Sequence, residues 1–169
     1  MNREPMPGHP LEPEDFDRVV RLTPLVAIDL VVRSPDRRVL VGRRKREPAK
    51  GCLFVAGGRI TKNETLAAAF RRISLAELGL EKRIEEARFL GVYEHFYSTN
   101  NREQAGFGTH YVVLACELIC SMQDLRLPKD QHGEFAWLTE AELLRSPDVH
   151  ANTKAYFLPG KSAGKMAMC

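Results

Sequence analysis

Gly57-Gly58, Arg72 and Glu77 fall in a stretch that reads as a strand, a diglycine, a loop and then a helix, where open backbone, a guanidinium and a carboxylate could meet a cation. Glycines let a backbone approach a ligand closely or leave a carbonyl open to a metal. Glu77 falls near the end of an expected helix, where the macrodipole disfavours an anion. It therefore needs another reason, and a bound cation is one. Arg72, five positions earlier, is expected roughly on the adjoining face, where it could pair with and orient a carboxylate. Elsewhere, Asp29 interrupts the apolar run Val26-Ala27-Ile28-Asp29-Leu30-Val31-Val32, a costly placement that fits a function or a structurally satisfied buried acid. The cluster Arg43-Arg44-Lys45-Arg46 suits a small anionic ligand or a solvated hairpin. Tyr111 is a hydroxyl in mid-strand or an ordinary core residue. His132, within Pro128-Lys129-Asp130-Gln131-His132-Gly133, reads on its residues alone as a histidine of a surface turn.

These residues need elements to hold them. Pro13 and Glu14 start a short helix, Glu14 to Arg21. Thr23 to Val32 reads as a strand, turned by Ser34-Pro35-Asp36 onto a second over Arg38 to Gly42. Gly51 to Val55 reads as a third, closed by Gly57-Gly58. Leu66, Ala69, Phe70 and Ile73 recur at helical steps, predicting an amphipathic helix from Asn63 to Leu78 that Gly79 ends. Strands are expected over Phe89 to Phe96, Thr109 to Leu118 and Phe135 to Leu138, with a mobile polar loop from Ser98 to Gly108. A capping-box-like Thr139-Glu140-Ala141-Glu142 opens a last helix through Leu144. Glu64 is expected to support the loop–helix junction, and Trp137 to pack in the core. Mixed strands with separated helices indicate an α/β sandwich, with a lead-in over 1–12, one domain over 13–159 and a disordered tail over 160–169.

Composition narrows the function. The 169 residues suffice for one domain, with 44% hydrophobic and 28% charged residues placing the chain in the globular range. A net charge of +3 with dispersed Lys and Arg argues against a nucleic-acid surface. No apolar run approaches the roughly 20 residues of a membrane span, and the proline-rich N-terminus is unlike a signal peptide. Cys52, Cys116, Cys120 and Cys169 lack metal-type spacing, and a reduced cytoplasm is the expected setting.

The stretch from Gly58 to Leu80 resembles a Nudix box: Gly, five residues, Glu, seven residues, then Arg-Glu-apolar-x-Glu-Glu-x-Gly-apolar. Gly58, Glu64, Arg72, Glu77, Gly79 and Leu80 match; Ile73 and Ala76 stand where glutamates are usual, and Ser74 takes an apolar position. That departure itself resembles the altered box of the GDP-mannose mannosyl hydrolases. The similarity runs from Phe16 to Phe157, through Thr23-Pro24-Leu25-Val26, Phe54-Val55-Ala56-Gly57-Gly58-Arg59, His95-Phe96-Tyr97, Thr109-His110-Tyr111, Gln131-His132 and Val149-His150-Ala151-Asn152. Ala56 stands where that family has proline, and Cys52-Leu53 where it has an aromatic pair.

The resemblance implies an α/β fold, a Nudix-type α/β/α sandwich with a mixed β-sheet. It implies hydrolysis of GDP-mannose, and also GDP-glucose, to GDP and free sugar. It implies one Mg2+ per site, with Mn2+ as a substitute, held by the Gly57 carbonyl, Glu77 and Gln131. His132 corresponds to the general base, Arg44, Arg59 and Tyr111 to residues that bind the departing diphosphate, and Asp29 and His95 to residues beside the sugar. It also implies a homodimer. Losing two carboxylates suits one cation rather than several, and so water attack at the anomeric carbon through an oxocarbenium-like transition state rather than attack at phosphorus. Two other readings stay open: a Nudix hydrolase acting at phosphorus on another nucleotide-diphosphate compound, and a non-catalytic binding module.

Overall fold

A computed structural model describes residues 11–128 and 132–161, and of residues 132 and 133 the backbone alone. The expectations for the first ten residues, for Gln131 and for the tail beyond Lys161 fall outside those described. Helix α1 (Pro13–Leu22) carries Pro at its first turn, acids Glu14 and Asp15 near its positive end and Arg21 in its last turn.

The sheet is built on β1 (Leu25–Arg33). Both of its faces are covered, so it reads as an almost unbroken apolar run, yet alternation still sorts its side chains. Ala27 and Val31 enter one core with Leu143, Val149 and Tyr156; Ile28, Leu30 and Val32 enter the other, against Phe70, Ile73 and Leu78. Along one edge β1 pairs in parallel with β6 (Thr109–Ile119), which pairs antiparallel with β5 (Arg88–Tyr97). Along the other edge two strands share it: β4 (Ala56–Arg59) opposite Ala27 to Leu30, and β2 (Val39–Arg44) opposite Arg33. Strand β2 continues the sheet to β3 (Leu53–Phe54) and β7 (His132–Leu138). The result is a seven-stranded mixed sheet between helices, the expected α/β/α sandwich.

The diglycine departs from expectation. Gly57 and Gly58 do not close a strand; they lie inside β4 and pair with Asp29 and Ile28. Helix α2 (Leu66–Leu78) starts later than its periodicity suggested, because Thr65 caps it, its hydroxyl accepting from Ala68 N–H at 3.2 Å. Leu66, 49% exposed, lies at the outer end and adds little to the core. Gly79 ends the helix at φ 63°, and a side chain there would strike the Arg126 backbone. A capping box at Thr139 and Glu142 opens α3 (Glu140–Arg145) as expected. Helix α4 (Ala151–Ala155), capped by His150, and a 3-10 turn over Ile84–Glu86 were not foreseen.

The loop expected to be mobile is tied in several places. Asn100 is fully buried; its amide donates to the carbonyls of Gln104 and Phe107, and its oxygen accepts from the N–H groups of Arg102 and Gln104. Arg102 and Gln104 both donate to Asp17 of α1 at 2.7 Å.

Candidate active site

A cleft of about 520 Å3 opens where β4 and β2 share the edge of β1. It gathers residues from both faces of the sheet: Ile73, Ala76 and Glu77 from α2, and Asp29, His95 and Tyr111 from the strands. Gly57, Arg44 and Arg59 complete the set expected from sequence, apart from Gln131 and the His132 side chain, which lie outside the described atoms. Backbone register does place His132 opposite Arg44, at the irregular end of the β2–β7 pairing.

On the helix side, Arg72 is paired with Glu64. The guanidinium grips Glu64 with two bonds, 2.7 and 2.8 Å, and reaches the Arg59 carbonyl at 2.8 Å. Glu64 also accepts from the Thr61 N–H and hydroxyl. Arg72, with those Thr61 donors, lowers the Glu64 carboxyl to about 2. Position decides the pairing: the turn ahead of α2 folds back over the helix and brings Glu64 to Arg72. Glu64 therefore supports the loop–helix junction, as expected, and Arg72 ties that junction to the end of β4 through the Arg59 carbonyl. Ile73 is 1% exposed and packs on Gly58, so the place of the missing acid is filled by core.

Across the cleft lies a polar network of another kind. Asp29 is 7% exposed and His95 3%. Asp29 shares the face of Ala27 and Val31, and β5–β6 register sets His95 beside Tyr111. The hydroxyl of Tyr156, just past α4, lies 2.5 Å from Asp29 Oδ2 and 3.2 Å from His95 Nε2. Burial raises the Asp29 carboxyl to about 6, against the Tyr156 hydrogen bond and Arg44, which lower it; Glu77 raises it further. Burial, with His150 and Arg44, lowers the His95 imidazole to about 4. Gly57 is obligatory here, since a Cβ at that position would come within 2.3 Å of Asp29 Oδ1.

Cations and aromatic rings complete the walls. Arg44 lies over the ring of Phe54 at 5.5 Å, and Arg59 over Phe16 of α1 at 4.3 Å. Tyr97 and Phe54 line the cleft beside His95, and His150, whose Nδ1 accepts from Asn152 N–H, backs both rings. Tyr156, Phe54 and Tyr97 were not assigned roles from sequence. No spacing rule could join Tyr156 to residues 127 and 61 positions away.

The donor set bears on a metal. Among the described residues no group of three His, Cys, Asp or Glu side chains could hold an ion. What faces the cleft is one buried box carboxylate, Glu77, 3% exposed, together with Gly57. Oxygen donors of that kind fit a hard divalent cation that keeps substrate oxygens and water in its shell. No helix among the described residues is long and apolar enough to cross a membrane.

Known proteins agree with this architecture. The NUDIX domain family matches residues 23–160. A low-salt glycan biosynthesis protein, Agl8, of Haloferax volcanii is 37% identical over 134 residues, covering 79% of this chain and 83% of that protein. An ADP-ribose pyrophosphatase of Methanocaldococcus jannaschii is 36% identical over 72 residues, 43% of this chain and 41% of that protein. Among solved structures, a MutT NUDIX hydrolase from Burkholderia pseudomallei superposes with a TM-score of 0.63 at 26% identity, over 79% of this chain and 95% of that one. With the family matching across the sheet, the box helix and the cleft, the chain belongs to the NUDIX family.

Proposed function

We propose that this Nudix hydrolase cleaves a nucleotide-diphosphate sugar, GDP-mannose and also GDP-glucose, into GDP and free sugar by attack of water at the anomeric carbon. The observation that carries the reading is the make-up of the box helix: Glu77 is its one carboxylate in the cleft, while Ile73 is packed on Gly58 and position 76 is alanine. The similarity to a glycan biosynthesis protein supports a sugar-linked substrate.

In this reading Arg44 and Arg59 bind the departing diphosphate, and the Tyr111 hydroxyl donates to it as negative charge develops. Asp29, ionised at neutral pH, stabilises the cationic sugar ring, and His95 orients it. Aromatic rings of Phe54 and Tyr97 supply apolar wall for the face of a sugar. His132 takes the proton from water. Glu77, the Gly57 carbonyl and Gln131 would hold one Mg2+, which when bound neutralises the diphosphate and improves it as a leaving group. The protein would act as a cytoplasmic homodimer on this small-molecule substrate, without nucleic acid or membrane.

The likeness to an ADP-ribose pyrophosphatase favours a second reading, attack at phosphorus on another nucleotide-diphosphate compound. Chromatography of the products separates the two. GDP with mannose is expected; GMP with mannose phosphate would replace the first reading by the second.

A further inference from the structure

Tyr156 is absent from the cleft wall yet touches two residues that form it. Its ring is fixed from behind by Tyr93, edge to face at 4.7 Å. The segment leading to it is anchored to β3, with His150 N–H donating to the Leu53 carbonyl at 3.1 Å and Leu53 N–H to Asp148 at 2.8 Å. Packing, not ligand, thus sets where the hydroxyl sits.

A phenol has one proton and can accept further hydrogen bonds. At 2.5 Å the contact with Asp29 Oδ2 is the shorter of the two, and a carboxylate is the stronger acceptor, so the proton points to Asp29. The hydroxyl oxygen must then accept at 3.2 Å from His95, which requires the proton on Nε2. Burial and the neighbouring His150 and Arg44 keep the ring neutral, so Nδ1 carries the lone pair. The reverse arrangement, with Tyr156 donating to Nε2, would leave a buried carboxylate oxygen without its donor. We propose that Tyr156 is a positioning residue whose hydroxyl fixes the orientation of Asp29 and the tautomer of His95, so that the cleft presents two hydrogen-bond acceptors, Asp29 Oδ1 and His95 Nδ1, to the hydroxyl groups of a polyol such as a sugar. The ligand class rests on the sugar-nucleotide reading; the tautomer does not.

The test is long-range 1H–15N correlation on histidine-labelled full-length protein near neutral pH, without substrate. Wild type should show His95 protonated on Nε2, with Nδ1 bare. Tyr156→Phe keeps the ring against Tyr93, and it should mix or reverse the tautomers; Tyr93→Phe should leave them unchanged. Incorporation of 3-fluorotyrosine, which alters the hydroxyl but hardly the shape, should move the same His95 resonances even if the phenylalanine variant folds poorly. On GDP-mannose, Tyr156→Phe should lower kcat on the order of a hundredfold, the scale expected for a misplaced reacting group, with KM little changed. A wild-type proton on Nδ1, or a tautomer indifferent to Tyr156→Phe, would overturn the assignment. Because that readout involves no substrate, it stands whether or not GDP-mannose is turned over.

Discussion

The two walls of the cleft treat their carboxylates in opposite ways. On the box side Glu64 is answered by Arg72 and by two donors of Thr61, and its proton is held only weakly, at about 2. On the strand side Asp29 is buried beside a phenol and a neutral imidazole, and its carboxyl rises to about 6. An acid matched by a guanidinium serves the fold, whereas an acid buried at a cost marks a candidate for action on a ligand. One acid sits in the turn ahead of α2 and the other on β1, and the contrast between them follows the partners each meets.

Asp29→Asn should break the contrast most severely. It preserves shape and removes the charge, and it should lower kcat by a factor of about 100 to 1,000 on GDP-mannose, the scale of losing one electrostatic stabiliser. Steady-state kinetics with an unchanged circular-dichroism spectrum would establish this; full turnover would return Asp29 to the structural acids.

The next test uses stability against pH, where the two acids have opposite signs. The Asp29 carboxyl is raised above its usual 3.8, so the folded state holds the extra proton and stability is lost as pH climbs from about 4 to about 6. That loss is roughly 3 kcal/mol by the conversion of a pKa difference. Glu64 lies below its usual 4.5, so its contribution is full above that pH and disappears as pH falls towards 2. In metal-free urea titrations, Asp29→Asn should gain on wild type as pH rises through 4 to 6. Glu64→Gln should close its deficit as pH falls below 4.5. Parallel curves would mean that the walls do not differ.

Arg72→Ala should cost about 1–2 kcal/mol, because Glu64 keeps its Thr61 donors when the charged partner goes. A fall in Tm of about 2–8 °C is the corresponding signal. The smallest effect belongs to Thr65→Ala, which removes the α2 cap for about 1 kcal/mol and should leave KM unchanged.

Much of the fold was legible because its signals are local. The stripe Ala69, Phe70 and Ile73, the stop at Gly79 and the capping box at Thr139 each specify an element within a few residues. The diglycine misled, since Gly57 and Gly58 suggest a turn and their actual task is a strand that lets Asp29 approach. Arg72 was expected to pair with a carboxylate and does, but which one was not legible, because Glu64 is brought to it by a turn that folds back. Within the site, Asp29 announced itself as a polar residue in an apolar run. Tyr156 did not, because a tyrosine beside a short helix is ordinary until the chain folds it against β1 and β5.

The central claim, that a box with one cleft carboxylate works at carbon, is tested most directly by hydrolysing GDP-mannose with magnesium in oxygen-18 water and weighing the products. Label in free mannose beside unlabelled GDP is the result expected from the site. Label in GDP, GMP or mannose phosphate would place the attack at phosphorus and contradict it.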